Sequence, residues 1–476
     1  MRRSLKGSRY VATASPYLLW LVILLAVMPG CRQSPSPASE EPEQPGQLLP
    51  QVKSPPVLLI GADGLDRKLL RKLVRRGNLP NFERLLQEGA SGVLYSEREI
   101  RSPALWTTIA TGRPRAVHGI YDFVTGSRLW PRELRGEERR LVTSKMRKVP
   151  AIWNMASAEG RKVAVVGWLN TWPAEKVNGV MVSPYVAIGR AKQITIKGAV
   201  YPDTPYQVWP QERWPQIRAL ITTPDEVEES LVQSFGHEPD AEVVREIPLL
   251  ARYLDGLRWS LAHTLTMRDI TLHLLREDRP DLTMVYFEGA DSLGHRFWLF
   301  RRSQRRIAAQ LEEAGMPGRH AGALAEAFGH VVDRYYELLD GVVGELLGAL
   351  PENAMVLVVS DHGFGNRSCI YPLPASTPFT GEHRIEGTVL LHGNGIRSGA
   401  SIYGATIYDV TPSLIEMLGL TAPSLLEGKS MLAPLVEEEG AGDEEERASE
   451  EGEESSAEES FRAAELERLR SLGYIQ

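Results

Sequence analysis

Three short apolar runs, each leading into an aspartate, constrain this 476-residue chain more than any other feature. Val57-Leu58-Leu59-Ile60-Gly61-Ala62 ends at Asp63. Met284-Val285-Tyr286-Phe287-Glu288-Gly289-Ala290 leads to Asp291, with His295 four residues on. Val356-Leu357-Val358-Val359-Ser360 ends in Asp361-His362, where Gly363 and Gly365 permit a sharp turn. The apolar runs, at 57–60, 163–166, 282–287, 354–359 and 388–391, alternate with helical patterns such as 65–75 and 410–418. That alternation predicts an α/β fold: a mostly parallel central sheet with helices on both faces.

Open α/β sheets bind ligands just beyond the carboxyl ends of their strands, so the residues that follow each run carry the information. One aspartate there usually caps a helix. Several gathered at one sheet edge would repel one another unless a cation neutralised them, and histidines among them complete a zinc-type site. Gly381-Glu382-His383-Arg384 supplies a further histidine before the next strand. The only cysteines are Cys31 and Cys369, so no cysteine metal cluster is available and any metal rests on Asp, Glu and His. Cys369 reads as a small packed residue.

The stretch Arg101-Ser102-Pro103-Ala104-Leu105-Trp106-Thr107-Thr108-Ile109-Ala110-Thr111-Gly112 predicts a helix with Ser102 as N-cap, Pro103 at its first position and Gly112 closing it. Ser102 either merely caps or serves chemistry. A hydroxyl at that pole faces free backbone N–H groups and the positive end of the dipole, which favours a phosphate and an alkoxide. Thr107 and Thr108 are rival hydroxyls but lie a turn or more inside the helix.

These motifs resemble the alkaline phosphatase superfamily, and within it the type I phosphodiesterase/nucleotide pyrophosphatase proteins. The matching elements are IGADGLD at 60–66, RSPALWTTIATG at 101–112 with HGI at 118–120, EGADSLGH at 288–295, SDHGF at 360–364 and GEHR at 381–384. The resemblance implies one metal on Asp63, Asp361 and His362, a second on Asp291, His295 and His383, and Ser102 between them as nucleophile. Counting nine residues back from Thr111 of the Thr-Gly pair also reaches Ser102. Two departures stand out. Leu105 occupies the position where nucleotide pyrophosphatases carry an asparagine for a phosphoryl oxygen. Ser102 is followed directly by Pro103, with no arginine four on, which disfavours a sulfatase.

The ends of the chain predict export. A basic stretch (Arg2, Arg3, Lys6, Arg9) precedes the apolar run 17–28, then Gly30 and Cys31, the layout of a secretory leader with a lipobox-like cysteine. The run is marginal for crossing roughly 30 Å of hydrocarbon. Lipidation of Cys31 and membrane attachment on the periplasmic or extracellular side are therefore expected. Residues 32–55, rich in Pro, Ser, Glu and Gln, read as a flexible tether. The catalytic domain is expected over 56–435, with lid insertions at about 186–260 and 300–325. Residues 437–459 hold thirteen acids and one arginine, leaving the rest of the chain near +5 although its formal net charge is −7. This acidic linker, spanning 436–460, precedes a C-terminal helix at 461–476. A mildly basic body without a dense cationic patch suits a small-molecule, lipid or glycan phosphoester and argues against a nucleic-acid polymer. The resulting expectation is a phosphoester hydrolase using two divalent ions, zinc, and a phosphoseryl intermediate. An envelope phosphotransferase to an alcohol acceptor, or a non-catalytic phospho-ligand-binding protein, are the alternatives.

Overall fold

The computed structural model describes residues 54–136, 139–186, 194–196, 199–201, 206–365 and 381–435. The leader, the tether up to residue 53, Cys31, Cys369, the acidic stretch and the C-terminal segment expected to be helical lie outside the described residues; Ser54, at the tether's end, donates to the Leu418 carbonyl at 3.1 Å. None of the described helices is long and apolar enough to cross a membrane.

In chain order the strands are β1 (Val57–Ala62), β2 (Ala90–Tyr95), β3 (Val163–Val166), β4 (Gly179–Val182), β5 (Ile194–Ile196), β6 (Ala199–Tyr201), β7 (Val208–Trp209), β8 (Leu282–Phe287), β9 (Met355–Val359), β10 (Gly363–Gly365), β11 (Glu382–Arg384), β12 (Glu386–His392) and β13 (Ser401–Thr406). Nine of them form one sheet in the order β13-β2-β12-β9-β1-β8-β3-β4-β7. Its centre, β9-β1-β8-β3-β4, is parallel. β12 runs antiparallel to both β9 and β2, and β7 antiparallel to β4. The sheet is thus mostly parallel with helices on both faces, as the alternating runs predict.

The residues of the central strands feed two cores in turn. Leu58, Ile60 and Ala62 of β1 join Val285 and Phe287 of β8 on one face, beneath the helices Arg67–Val74, Tyr253–Glu277, Gly289–Phe297 and Val331–Gly348. Val57 and Leu59 join Leu282, Met284 and Tyr286 on the other, beneath Ser102–Thr111, Ile152–Ala158 and Val410–Leu418. Burial on both faces is the reason these strands read as unbroken apolar runs rather than alternating ones. Each buried Leu, Ile, Val or Phe contributes about 1.5–3 kcal/mol, so the strand ends sit on a stiff platform.

Two local expectations need correction. Gly363 and Gly365 do not turn the chain; they lie in β10, paired antiparallel with β11 so that Phe364 stands opposite His383. Their smallness serves close approach, since a Cβ on Gly363 would lie 2.5 Å from the Glu386 carbonyl oxygen. Ser102 is not the N-cap. The Arg101 carbonyl accepts from Ala104 N at 2.9 Å and Leu105 N at 3.0 Å, and Arg101 itself is extended (φ −143°, ψ 103°), so the helix opens one residue earlier and Ser102 is its first residue.

Candidate functional site

β1, β8 and β9 deliver their following residues to one edge of the sheet. Asp63 comes directly after β1 and is buried; Asp66, three residues on, caps the next helix by accepting from Leu69 N at 2.8 Å. Asp63 is therefore not spent as a cap. Its Oδ2 accepts from Trp106 Nε1 at 3.1 Å and from the Tyr286 hydroxyl at 2.6 Å. Burial, then the adjacent Asp63 carboxylate, pushes the Tyr286 phenol well above its ordinary pKa, so that hydroxyl keeps its proton and donates. These two bonds turn Oδ1 toward the site.

β8 ends at Phe287, and Asp291 falls in the first turn of the helix Gly289–Phe297. His295 lies one turn later on the same face, with Nε2 3.3 Å from Asp291 Oδ1. The β10–β11 ribbon brings His383 to the same oxygen, also at 3.3 Å, and places its Nε2 3.0 Å from that of His295. From β9, His362 directs Nε2 toward Asp63 Oδ1 (3.1 Å), Asp291 Oδ1 (3.4 Å) and Asp361 Oδ1 (3.9 Å), while its Nδ1 lies 3.2 Å from the Gly363 carbonyl.

All six acid and histidine side chains singled out by sequence thus meet at one place. Donor atoms of Asp291, His295 and His383 form one group lying within 4.8 Å of one another, and those of Asp63, Asp291 and His362 form another. Asp361 stands beside the second group rather than within it.

The electrostatics expose an uncompensated cluster. Burial first, then the Asp63 charge, drives the Asp361 carboxyl well above its ordinary range. Burial alone would lower His362, but the carboxylates of Asp361, Asp63 and Asp291 outweigh it and hold the imidazole at about 10. His383 is depressed by burial and by the charge of His362. Asp63 Oδ1, Asp291 Oδ1, both Asp361 oxygens and His362 Nε2 are buried with no hydrogen-bond partner. Buried polar atoms are ordinarily paired, so this concentration of lone pairs is what a divalent cation fits. Oxygen and imidazole donors without sulfur suit zinc and other divalent ions of its kind.

The Ser102 side chain makes no hydrogen bond with another described residue. The helix it opens is pinned at the end of β1 by the Trp106 bond to Asp63, and by Asn170, whose Nδ2 donates to the Pro103 carbonyl at 2.8 Å. The rival hydroxyls are engaged. Thr107 donates to the Pro103 carbonyl at 2.7 Å, and Thr108 pairs with His118 Nε2 at 3.1 Å. His118 is buried and its Nδ1 accepts from Ile120 N at 3.1 Å, so both ring nitrogens are committed to structure. Leu105 is fully buried in the core and has no part in the site.

A cavity of about 1100 Å³ opens over Asp291, His295 and His383. From the expected lid at 186–260 it is lined by Leu249, Arg252 and Tyr253; no lining residue comes from 300–325. Sequence reasoning missed Tyr286 and Trp106 as partners of Asp63. No local signal marks them, because Tyr286 reaches Asp63 only through the β1–β8 register that pairs Gly61 with Tyr286.

Comparison with solved structures finds distant likenesses. Human ectonucleotide pyrophosphatase/phosphodiesterase 5 is 13% identical, with 79% of this chain and 97% of that one covered and a TM-score of 0.41. Phosphonoacetate hydrolase from Sinorhizobium meliloti 1021 is 18% identical, with 67% and 58% covered and a TM-score of 0.38. A 2-O GAG sulfatase is 12% identical, with 80% and 74% covered and a TM-score of 0.44. No curated protein matches the chain. A family model matches residues 57–399, the stretch that holds every acid and histidine of the cluster. By that match the chain belongs to the type I phosphodiesterase/nucleotide pyrophosphatase family, a family of metal-dependent phosphoesterases.

Proposed function

We propose that this chain is a phosphoester hydrolase that works with two divalent ions, zinc, and with Ser102 as nucleophile. The observation that carries the reading is the convergence of Asp63, Asp291, His295, Asp361, His362 and His383, with five of their buried donor atoms making no hydrogen bond. Asp291, His295 and His383 would hold one ion, and Asp63, Asp361 and His362 the other. When bound, the ions supply Lewis acidity toward the phosphoryl oxygens and the reacting hydroxyl.

The chain's own residues account for the rest. Tyr286 and Trp106 fix the rotamer of Asp63 through Oδ2. In the first turn of the Ser102 helix Pro103 has no N–H and those of Ala104 and Leu105 donate to the Arg101 carbonyl, so the Ser102 backbone N–H, at the positive end of the helix, is the one suited to a phosphoryl oxygen now that Leu105 is excluded. Ser102 Oγ loses its proton and attacks phosphorus in line; the ester P–O bond breaks and the departing alcohol gains a proton. Water then attacks the phosphoseryl group, its O–P bond forms as the Ser102 Oγ–P bond breaks, and serine is restored.

The test is hydrolysis of bis-p-nitrophenyl phosphate and p-nitrophenyl phosphate by the purified chain, with and without zinc. Turnover should require zinc, and Ser102→Ala should lower kcat by about a thousandfold or more with zinc still bound. A variant that retains full turnover would remove Ser102 from the role, and a folded chain that binds no divalent metal would remove the whole reading.

A further inference from the structure

The cavity over the metal ligands is lined by five arginines, Arg98, Arg101, Arg128, Arg252 and Arg296. They come from separate places: the loop after β2, a loop near residue 128, the entrance of the helix Tyr253–Glu277, and the helix Gly289–Phe297. Arg296 donates to the Ser292 carbonyl at 2.6 Å. The other four make no ion pair with a described residue. Some arginines elsewhere are matched, Arg147 to Glu175 at 2.7 Å, Arg213 to Asp278 at 2.6 Å and Arg301 to Asp333 at 2.6 Å, while exposed ones such as Arg218 and Arg305 have no ion pair among the described residues, so what distinguishes the wall is the convergence of several arginines on one cavity. Of the two wall carboxylates outside the metal cluster, Glu99 is taken by Arg115 at 3.1 Å, and Glu382 of β11 is not free either.

Like charges gathered around one concave space raise its positive potential and repel each other, a cost that a bound anion relieves. Guanidinium forks match phosphate, sulfate and carboxylate groups with paired hydrogen bonds, which is a reason for arginine rather than lysine at such a wall. We infer that Arg98, Arg101, Arg128 and Arg252 form a subsite for a second anionic group, so that the substrate is a phosphoester whose organic portion itself carries a phosphate, sulfate or carboxylate. This rests on the hydrolase reading for its chemistry, but not for the binding of the anion.

Two measurements separate those parts. The first is kcat/KM of the zinc-loaded full chain for p-nitrophenyl phosphodiesters differing only in the second ester group: ethyl, 2-phosphoethyl, 2-sulfoethyl or 2-carboxyethyl. At least one anionic ester should exceed the ethyl ester by about tenfold, the advantage shrinking as salt is raised. The order among the three identifies the anion, and Arg128→Ala with Arg252→Ala should bring the ratio toward one. The second is titration calorimetry of tripolyphosphate into the metal-stripped chain, where the same pair of substitutions should weaken binding by about tenfold and lysine replacements should restore part of it. Both arginines are exposed, so the variants should fold. A chain that cleaves the ethyl ester, shows no anionic preference and binds no tripolyphosphate loses the subsite and keeps the hydrolase. A chain that binds tripolyphosphate through these arginines yet cleaves no ester keeps the subsite and loses the hydrolase.

Discussion

At the scale of single residues, Asp63 shows how a carboxylate is aimed. Its two oxygens have different lives: Oδ2 is held by Tyr286 and Trp106, whereas Oδ1 faces His362 without a hydrogen bond. Partners of this kind orient metal ligands, and losing one usually costs 10–100-fold in metal affinity or activity. Tyr286→Phe should therefore weaken zinc binding by about tenfold in a chelator competition while leaving the T-shaped packing of its ring on Trp106, at 5.1 Å, in place. An unchanged affinity would show that the bond has no positioning role. His118 makes a different prediction. Burial first, then Arg115 and Arg147, lowers its pKa from 6.5 to about 3. The unfolded chain therefore takes up a proton near pH 6.5 that the folded chain refuses, and stability is lost as pH falls from about 6.5 toward 3. Urea unfolding across that range should give a flatter stability profile for His118→Gln than for the parent; parallel profiles would contradict the assignment.

At the scale of elements, the site depends on how closely the turn after β1 meets the helix Gly289–Phe297. Gly64 has φ +69°, and a Cβ there would lie 2.8 Å from Phe364 Cε2 and 3.0 Å from the Asp291 Cα. Gly64→Ala combines a strained backbone with a push against two elements that carry ligands, and should cost about 1–3 kcal/mol in a urea titration together with zinc affinity. Gly77→Ala is the matched comparison. Its φ is +75° but nothing lies within 4 Å, so strain alone remains and zinc affinity should hold. Equal effects of the two substitutions would place the cost in the backbone and not in the approach of the elements. The β10–β11 ribbon has the same logic: it is too short to be stable alone, and its purpose is to set His383 opposite Phe364 and beside His295.

At the scale of the whole molecule, a stiff sheet covered on both faces gathers three histidines and three carboxylates, the latter close enough to repel one another. A cation bound to the folded chain alone stabilises it by about 2.7 kcal/mol at a hundred times its Kd. Stripping divalent metal with EDTA should accordingly lower the melting temperature by about a few degrees in a calorimetric scan, and zinc should restore it. No change would mean that the cluster holds no ion in solution. Much of this architecture is legible in the chain itself. The runs at 163–166 and 282–287 are strands at those same residues, because strands buried on both faces leave unbroken apolar sequence. β2 and β13 are not legible: ASGVLY and SIYGAT mix small and polar residues with apolar ones, and only pairing with neighbours makes them strands. The identity of the acids and histidines, and the family, were likewise determined by sequence, since each chemical residue sits at a fixed offset from a run of recognisable pattern. What only the tertiary structure decided is the relation between segments: the register that hands Tyr286 to Asp63, the ribbon that delivers His383, and the wall of arginines drawn from four separate stretches. Local sequence encodes the period and the ends of elements, whereas contacts between residues more than two hundred positions apart exist only once the sheet has brought their elements together.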